Sequence, residues 1–218
     1  MVMPKHIAIS TDDIIDWCRN NSRSLNEAYA RFLELLSRLL ELQVNAKIPI
    51  FTVYLLPDIE KWTEEYMIFC DFLFDFFSKL PDNATIRKDK IKISIFGKWY
   101  NLPGKLVESL KKVIEGTKEY DNFFVNFCIN YDGQEEIVDA CKLIAKQVEL
   151  GKIHPEMITK DAIKENIYSS YFLPPDVILI YGDRKIKGLL LWDSVNSNIV
   201  FADKSFMEFE DGDIEKLI

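Results

Sequence analysis

Phe123–Gly151 reads FFVNFCINYDGQEEIVDACKLIAKQVELG. Its opening run, Phe123–Tyr131, is apolar and uncharged, the pattern of a strand buried on both faces. Glu135–Leu150 then turns to an amphipathic helical pattern, and Gly151 closes it. A buried strand feeding an amphipathic helix is the repeating unit of an α/β sheet protein.

The same alternation extends in both directions. His6–Ser10 (HIAIS), Ile48–Leu56 (IPIFTVYLL), Ile91–Gly97 (IKISIFG), Val177–Tyr181 (VILIY) and Asn198–Ala202 (NIVFA) read as strands. Leu25–Leu42, Thr63–Leu80 and Pro103–Glu115 read as helices, the last with proline in its first turn and Gly116 at its end. Thr159–Ser170 predicts one or two short helices. The expected fold is one α/β domain over residues 1–218, with a mainly parallel six-stranded sheet flanked by helices. In such sheets ligands bind at the carboxyl ends of the strands. The loops after Ser10, Leu56, Gly97, Tyr131 and Tyr181 are therefore where chemistry is expected.

Composition narrows the function classes. The chain has 218 residues, 48% hydrophobic and 28% charged, which is enough to bury a core without disulfides or metal. Its net charge of −8 argues against nucleic-acid binding and against a polybasic membrane anchor. Cys18, Cys70, Cys128 and Cys141 form no CxxC pair and fit no zinc spacing, so buried free thiols in a reducing compartment are expected. Met1–Ser10 does not read as a secretory leader. No apolar run is long enough to cross a bilayer.

The loop residues resemble the cis-prenyltransferase family, of the undecaprenyl diphosphate synthase type. PKHIAISTDD (Pro4–Asp13) with Trp17 is similar to the family's first strand and its aspartate-glycine-asparagine loop. FTVYLL (Phe51–Leu56) with Trp62, IKISIFG with Leu102–Pro103, INYDGQEEIVDA (Ile129–Ala140) and LPPDVILIYGDRKIKGLLLW (Leu173–Trp192) follow in the family's order over almost the whole chain. The resemblance implies elongation of an allylic diphosphate by isopentenyl diphosphate with magnesium. An aspartate and a glutamate would hold the metal, arginines and loop amides would clamp phosphates, and helices would wall a tunnel for the growing chain.

Against that pattern the scaffold residues Trp17, Tyr54, Asn130, Tyr131, Gly133, Glu136 and Trp192 are kept, while the charged shell is not. Asp12 matches the family's catalytic aspartate, but Asp13 and Ile14 replace the glycine and asparagine that follow it. Ile15 and Asp16 stand where an arginine is usual. Gln134 replaces an arginine, as does Leu179 or Ile180. Lys185, Ile186, Lys187 and Gly188 replace the arginine-x-serine-asparagine clamp, and Asn198 aligns with the metal-binding glutamate. Lys61 replaces an asparagine, one residue is inserted between Tyr54 and Trp62, and a histidine expected in the first long helix is missing. The family's arginine-x-glycine tail has no counterpart after Phe209–Asp213. Each lost charge-assisted clamp removes roughly 1.5–3 kcal/mol of binding to a charged ligand.

Plainer roles compete for several of these residues. Asp12 reads first as a helix N-cap and second as a metal ligand, so it is at most a relic catalytic residue. The rings at Tyr66, Phe69, Phe72, Phe74, Phe76 and Phe77 suit a core and a lipid tunnel equally. His6 reads as a satisfied strand-end histidine and His154 as a loop residue. Lys185 and Lys187 are candidate anion ligands that more often serve as solvated turn lysines. Glu135 and Glu136 suit a helix start.

The expected function is a non-catalytic subunit supporting a catalytic cis-prenyltransferase chain, with Mg2+ held by that partner. Leu189, Leu190, Leu191, Trp192, Val200 and Phe201 are expected at the interface, because homodimers of the family join there. The alternative is a divergent active homodimer using Asp12, Lys185 and Lys187. A prenyl-lipid-binding domain without a partner ranks last. The expected compartment is the cytoplasm, with peripheral membrane contact through the product.

Overall fold

The computed structural model describes residues 3–11, 13–55, 63–182 and 184–218. The strands are β1 (His6–Ser10), β2 (Ile50–Tyr54), β3 (Ile91–Phe96), β4 (Phe123–Cys128), β5 (Val177–Ile180) and β6 (Asn198–Phe201). They form one six-stranded sheet in the order β3-β4-β2-β1-β5-β6, and every pairing is parallel. The helices are α1 (Ile14–Asn21), α2 (Leu25–Asn45), α3 (Glu64–Lys79), α4 (Ala84–Asp89), α5 (Gly104–Thr117), α6 (Gly133–Glu149), α7 (Lys160–Lys164) and α8 (Asp211–Glu215).

Local chemistry sets the boundaries. β4 ends three residues before its apolar run does, because Asn130 adopts a left-handed φ of 47° and turns the chain. α6 starts two residues early, since Asp132 accepts hydrogen bonds from the Gln134 and Glu135 amides at 2.8 and 2.9 Å. Ser24 and Glu27 close a reciprocal capping box on α2. The short α4 and α8 are not visible in the periodicity. Asn83 caps α4 through the Ile86 amide, and a Glu210–Asp213 box starts α8.

The pleat splits the strands between two cores. Ile7, Ile9, Phe51, Val53, Ile93, Val125, Phe127 and Leu179 face the larger core under α1, α2, α3 and α5. Phe206, Met207, Phe209 and Ile214 of the C-terminal segment join that core, each at most 2% exposed. Ala8, Tyr54, Phe96, Cys128, Ile178 and Ile180 face the other side, packed with Tyr131, Leu189 and Leu190. Cys18, Cys70 and Cys128 are buried free thiols, and Cys141 is exposed. Among the described residues, no helix is long and apolar enough to cross a membrane.

The aromatic set of α3 packs as core. Phe77 meets Phe76 and Phe127 edge-on at 5.2 and 5.1 Å between ring centroids. Tyr29 of α2 sits against Phe69 and Phe72. Phe72 and Phe74 are half-buried at the rim of this cluster.

His6 is satisfied, as its strand-end position suggests. Nδ1–H donates to the Leu173 carbonyl at 2.6 Å, so Nε2 accepts from the Thr52 hydroxyl at 2.8 Å. Asn126 donates in turn to Thr52 Oγ1 at 3.1 Å, which runs a polar row across β1, β2 and β4. Burial lowers the His6 pKa to about 4.

Two outcomes follow. Phe77→Ala is expected to cost about 3–5 kcal/mol by urea unfolding, since the ring is fully buried and leaves a cavity. His6 folds neutral, whereas the unfolded chain takes up its proton below about pH 6.5. The unfolded state therefore binds more protons between pH 6.5 and 4, and stability falls as pH drops through that window, by about 3 kcal/mol in all. Unfolding midpoints of the native chain and His6→Gln at pH 7 and 5 measure this, and the variant is expected to show the shallower slope.

Candidate functional site

Strand order reverses at β1, which has β2 on one side and β5 on the other. The crevice above its carboxyl end is the expected ligand position in this architecture. The loop after β1 is tied to β2, because the Thr11 hydroxyl donates to the Tyr54 carbonyl at 2.7 Å. Asp12 lies outside the described residues, as do Lys61 and Trp62. The residue that begins α1 is Asp13, and its side chain does not cap the helix.

Asp13 is buried at 7% exposure. Its Oδ1 accepts from the Phe206 amide at 3.3 Å, across 193 residues of chain. Its Cβ lies so close to Gly182 that a β-carbon there would sit 2.6 Å away, and Gly182 holds a φ of +73°. The carboxylate is thus folded into the wall of the crevice. Beside it, the Tyr181 ring is fully buried against Phe206 and Phe209, and its hydroxyl donates to Asp213 at 2.9 Å. Lys204 also reaches Asp213, at 2.8 Å.

The loop after β4 forms a second wall. The Tyr131 hydroxyl donates to Glu136 Oε2 at 2.7 Å, and the Tyr168 amide donates to Glu136 Oε1 at 3.0 Å. Burial pushes the Glu136 carboxyl above the usual carboxylate range, and that of the Tyr131 hydroxyl far above its own. Glu135 and Glu136 both lie in the first turn of α6, as expected, but Glu136 is 1% exposed and structural. Lys98 pairs with Glu135 at 2.5 Å and Asp139 at 3.3 Å. Asp132, Glu135, Glu136 and Asp139 make this helix start acidic.

Lys185 is exposed and Lys187 half-buried, and neither is without a partner. The Tyr54 hydroxyl donates to the Lys187 carbonyl at 3.2 Å, which seats this loop on β2. Lys187 and Leu190 both take a left-handed φ of 46°, with Gly188 between them at 85°. Gln134 is exposed on α6, whereas Leu179 and Ile180 are buried within β5.

Asn198 does not join this crevice. It pairs with Val177 at the amino end of β6, at the opposite end of the sheet. Among the described residues no group of three or more His, Cys, Asp or Glu side chains could hold a metal. Asp13 is committed to a backbone amide and Asn198 is remote.

Of the residues expected at an interface, Leu189 and Leu190 are corrected. They are 0% and 1% exposed inside the second core, so they offer a partner no side-chain surface. Leu191, Trp192 and Val200 are half-buried, and Phe201 is 37% exposed. Sequence reading missed Val195, an apolar side chain 80% exposed between Trp192 and β6. It also missed the capping role of Asp132, although Asp132 followed by Glu135 is a readable helix-start signal.

The profile of the Prenyltransf family, that of undecaprenyl diphosphate synthase, matches residues 15–218. The chain is 31% identical over 222 residues to the tritrans,polycis-undecaprenyl-diphosphate synthase (geranylgeranyl-diphosphate specific) of Thermoplasma volcanium, covering 99% of this chain and 84% of that one. It is 26% identical over 225 residues to the isoprenyl transferase of Streptococcus thermophilus, covering 99% and 89%. The lavandulyl diphosphate synthase structure from Lavandula x intermedia superposes with a TM-score of 0.91 at 20% identity, over 99% of this chain and 93% of that one. A probable undecaprenyl diphosphate synthase from Campylobacter jejuni gives 0.76 at 19% identity, over 100% and 94%. Six parallel strands in this order, with the site loops at their carboxyl ends and these full-length matches, make the chain a member of the cis-prenyltransferase family, that of undecaprenyl diphosphate synthase.

Proposed function

We propose that the chain is the non-catalytic supporting subunit of a heteromeric cis-prenyltransferase. The complex would make long-chain polyprenyl diphosphate from isopentenyl diphosphate and an allylic diphosphate. The observation that carries this reading is Asp13, whose carboxylate fills the crevice wall and holds the Phe206 amide. A side-chain oxygen already holding this main-chain amide takes it from any entering diphosphate. The block at Asn130–Gln134 supports the same conclusion. There Asp132 occupies the first α6 amides with its own carboxylate, and Gln134 stands in an arginine's place. An anion approaching α6 meets carboxylates where a helix start would otherwise attract it.

On this reading the partner holds Mg2+ and both diphosphates, and the metal neutralises the leaving group there. This chain supplies a folded scaffold and a contact surface. Val195, Phe201 and the outer edge of β6, which has β5 as its sheet neighbour, form that surface with the half-buried Leu191, Trp192 and Val200. The complex works in the cytoplasm and touches membrane through its product.

A divergent active homodimer is the second reading. It is favoured by the names of full-length relatives, which are synthases, and by Lys185 and Lys187 as stand-ins for arginines.

The deciding measurement is incorporation of labelled isopentenyl diphosphate with geranylgeranyl diphosphate and magnesium. The purified chain alone is expected to give none. Added to an intact relative from the same genome, it is expected to raise that relative's rate, and product from the chain alone would sink the subunit reading. Phe201→Glu with Val195→Glu is expected to weaken co-elution with that relative by about tenfold or more, as for loss of central apolar contacts.

A further inference from the structure

We infer that the half-buried Lys164–Asp193 ion pair is the positioning device for the partner-facing segment Leu191–Phe201; this rests on the subunit reading. Lys164 is the last residue of α7. Its Nζ lies 2.7 Å from Asp193 Oδ2 and donates to the Ser169 carbonyl at 2.9 Å and hydroxyl oxygen at 3.3 Å. The Ser169 hydroxyl donates to the same Asp193 oxygen at 2.6 Å. Asp193 is 6% exposed and Ser169 2%, while the Lys164 side chain is 23% exposed, so the acceptors are buried and the ammonium reaches them from the rim.

Both ends of this cluster are anchored. On one side the Tyr168 amide is held by Glu136, and Gln147 of α6 donates to Asn166 at 3.0 Å. On the other, Asp193 opens a single 3-10 turn, Asp193–Asn196, that follows Trp192 directly and leads into β6. The Ser194 amide donates to the Leu190 carbonyl at 2.9 Å, and the Ser197 hydroxyl donates to the Pro175 carbonyl at 2.6 Å. The ion pair therefore joins α7, which Tyr168 and Asn166 tie to α6, to the turn that follows Trp192 and carries Val195.

An apolar pair of similar volume would fill this space without the cost of burying two charges. What the charges add is direction. Lys164 reaches three acceptors in fixed geometry, and Asp193 takes two donors on one oxygen. The turn is held in one orientation where plain packing would allow several.

The test compares the affinity of the purified chain for an intact relative from the same genome with its own thermal midpoint. Lys164→Met combined with Asp193→Leu removes both charges and is expected to keep the midpoint within about 4 °C, yet to lose affinity by about tenfold or more. Lys164→Arg, which keeps the charge and the donors, is expected to stay within about threefold of the unchanged chain. A double variant that melts and binds like the unchanged chain overturns the inference. If the double variant melts further away than that, Ser169→Ala is read instead: a loss of about threefold or more supports the role, and unchanged affinity overturns it. An unchanged chain that binds no intact relative removes the subunit reading, and this inference with it.

Discussion

Close approach of main chain to main chain at the carboxyl end of the sheet is the constraint on which the loops depend. A β-carbon at Gly133 would lie 2.2 Å from the Gly188 carbonyl and 2.9 Å from Leu191 Cγ. A side chain at Gly182 would run into Asp13 in the same way. These contacts lock the loop after β5 onto the start of α6 and onto the loop after β1. Left-handed φ values at Lys187 and Leu190 flank the Gly188 contact with α6. Tyr54 and Tyr131 then seat the reversed loop from below, through the Lys187 carbonyl and an edge-on ring contact at 6.1 Å.

The charges in this frame are largely met from within the chain. Helix starts and strand ends present backbone amides that a ligand anion can use. Here Asp13 and Asp132 meet such amides from within the chain. The lysines nearby are drawn into ion pairs as well: Lys98 with Glu135 and Asp139, and Lys204 with Asp213.

The strands were legible because a sheet covered on both faces demands near-continuous apolar runs, and FFVNFC and VILI supply them without ambiguity. β6 was legible from NIVFA, although it lies at the sheet edge and only half buries its side chains. What could not be read were contacts across long separations. Nothing local to Asp13 shows that its carboxylate meets Phe206, and nothing local to Lys164 shows Asp193 beside it. Leu189 and Leu190 were misplaced for a related reason. An apolar run next to a landmark tryptophan says that the residues are hydrophobic, but not whether their own core or a partner covers them. Asp12, on which the metal reading turned, lies outside the described residues.

The two polar systems in this chain show why the scaffold can outlast the charged shell of a family site. From the start of β1 into the middle of β2 and β4, His6, Thr52 and Asn126 bond in a row across three strands, and the row needs no ligand to be complete on its donor side. At the carboxyl end, Tyr131, Glu136 and Tyr168 form another that is closed by the protein alone. Each buried polar atom that finds a partner within the fold removes a dependence on substrate for order. Glu136 illustrates the consequence. Buried and doubly bonded, it fixes the loop after β4 whether or not a diphosphate is present. Gln134 and Lys185 are exposed at the rim, so a change at either leaves what holds the loop together intact. The order of this loop is therefore a property of the fold itself, set by buried pairs within the chain.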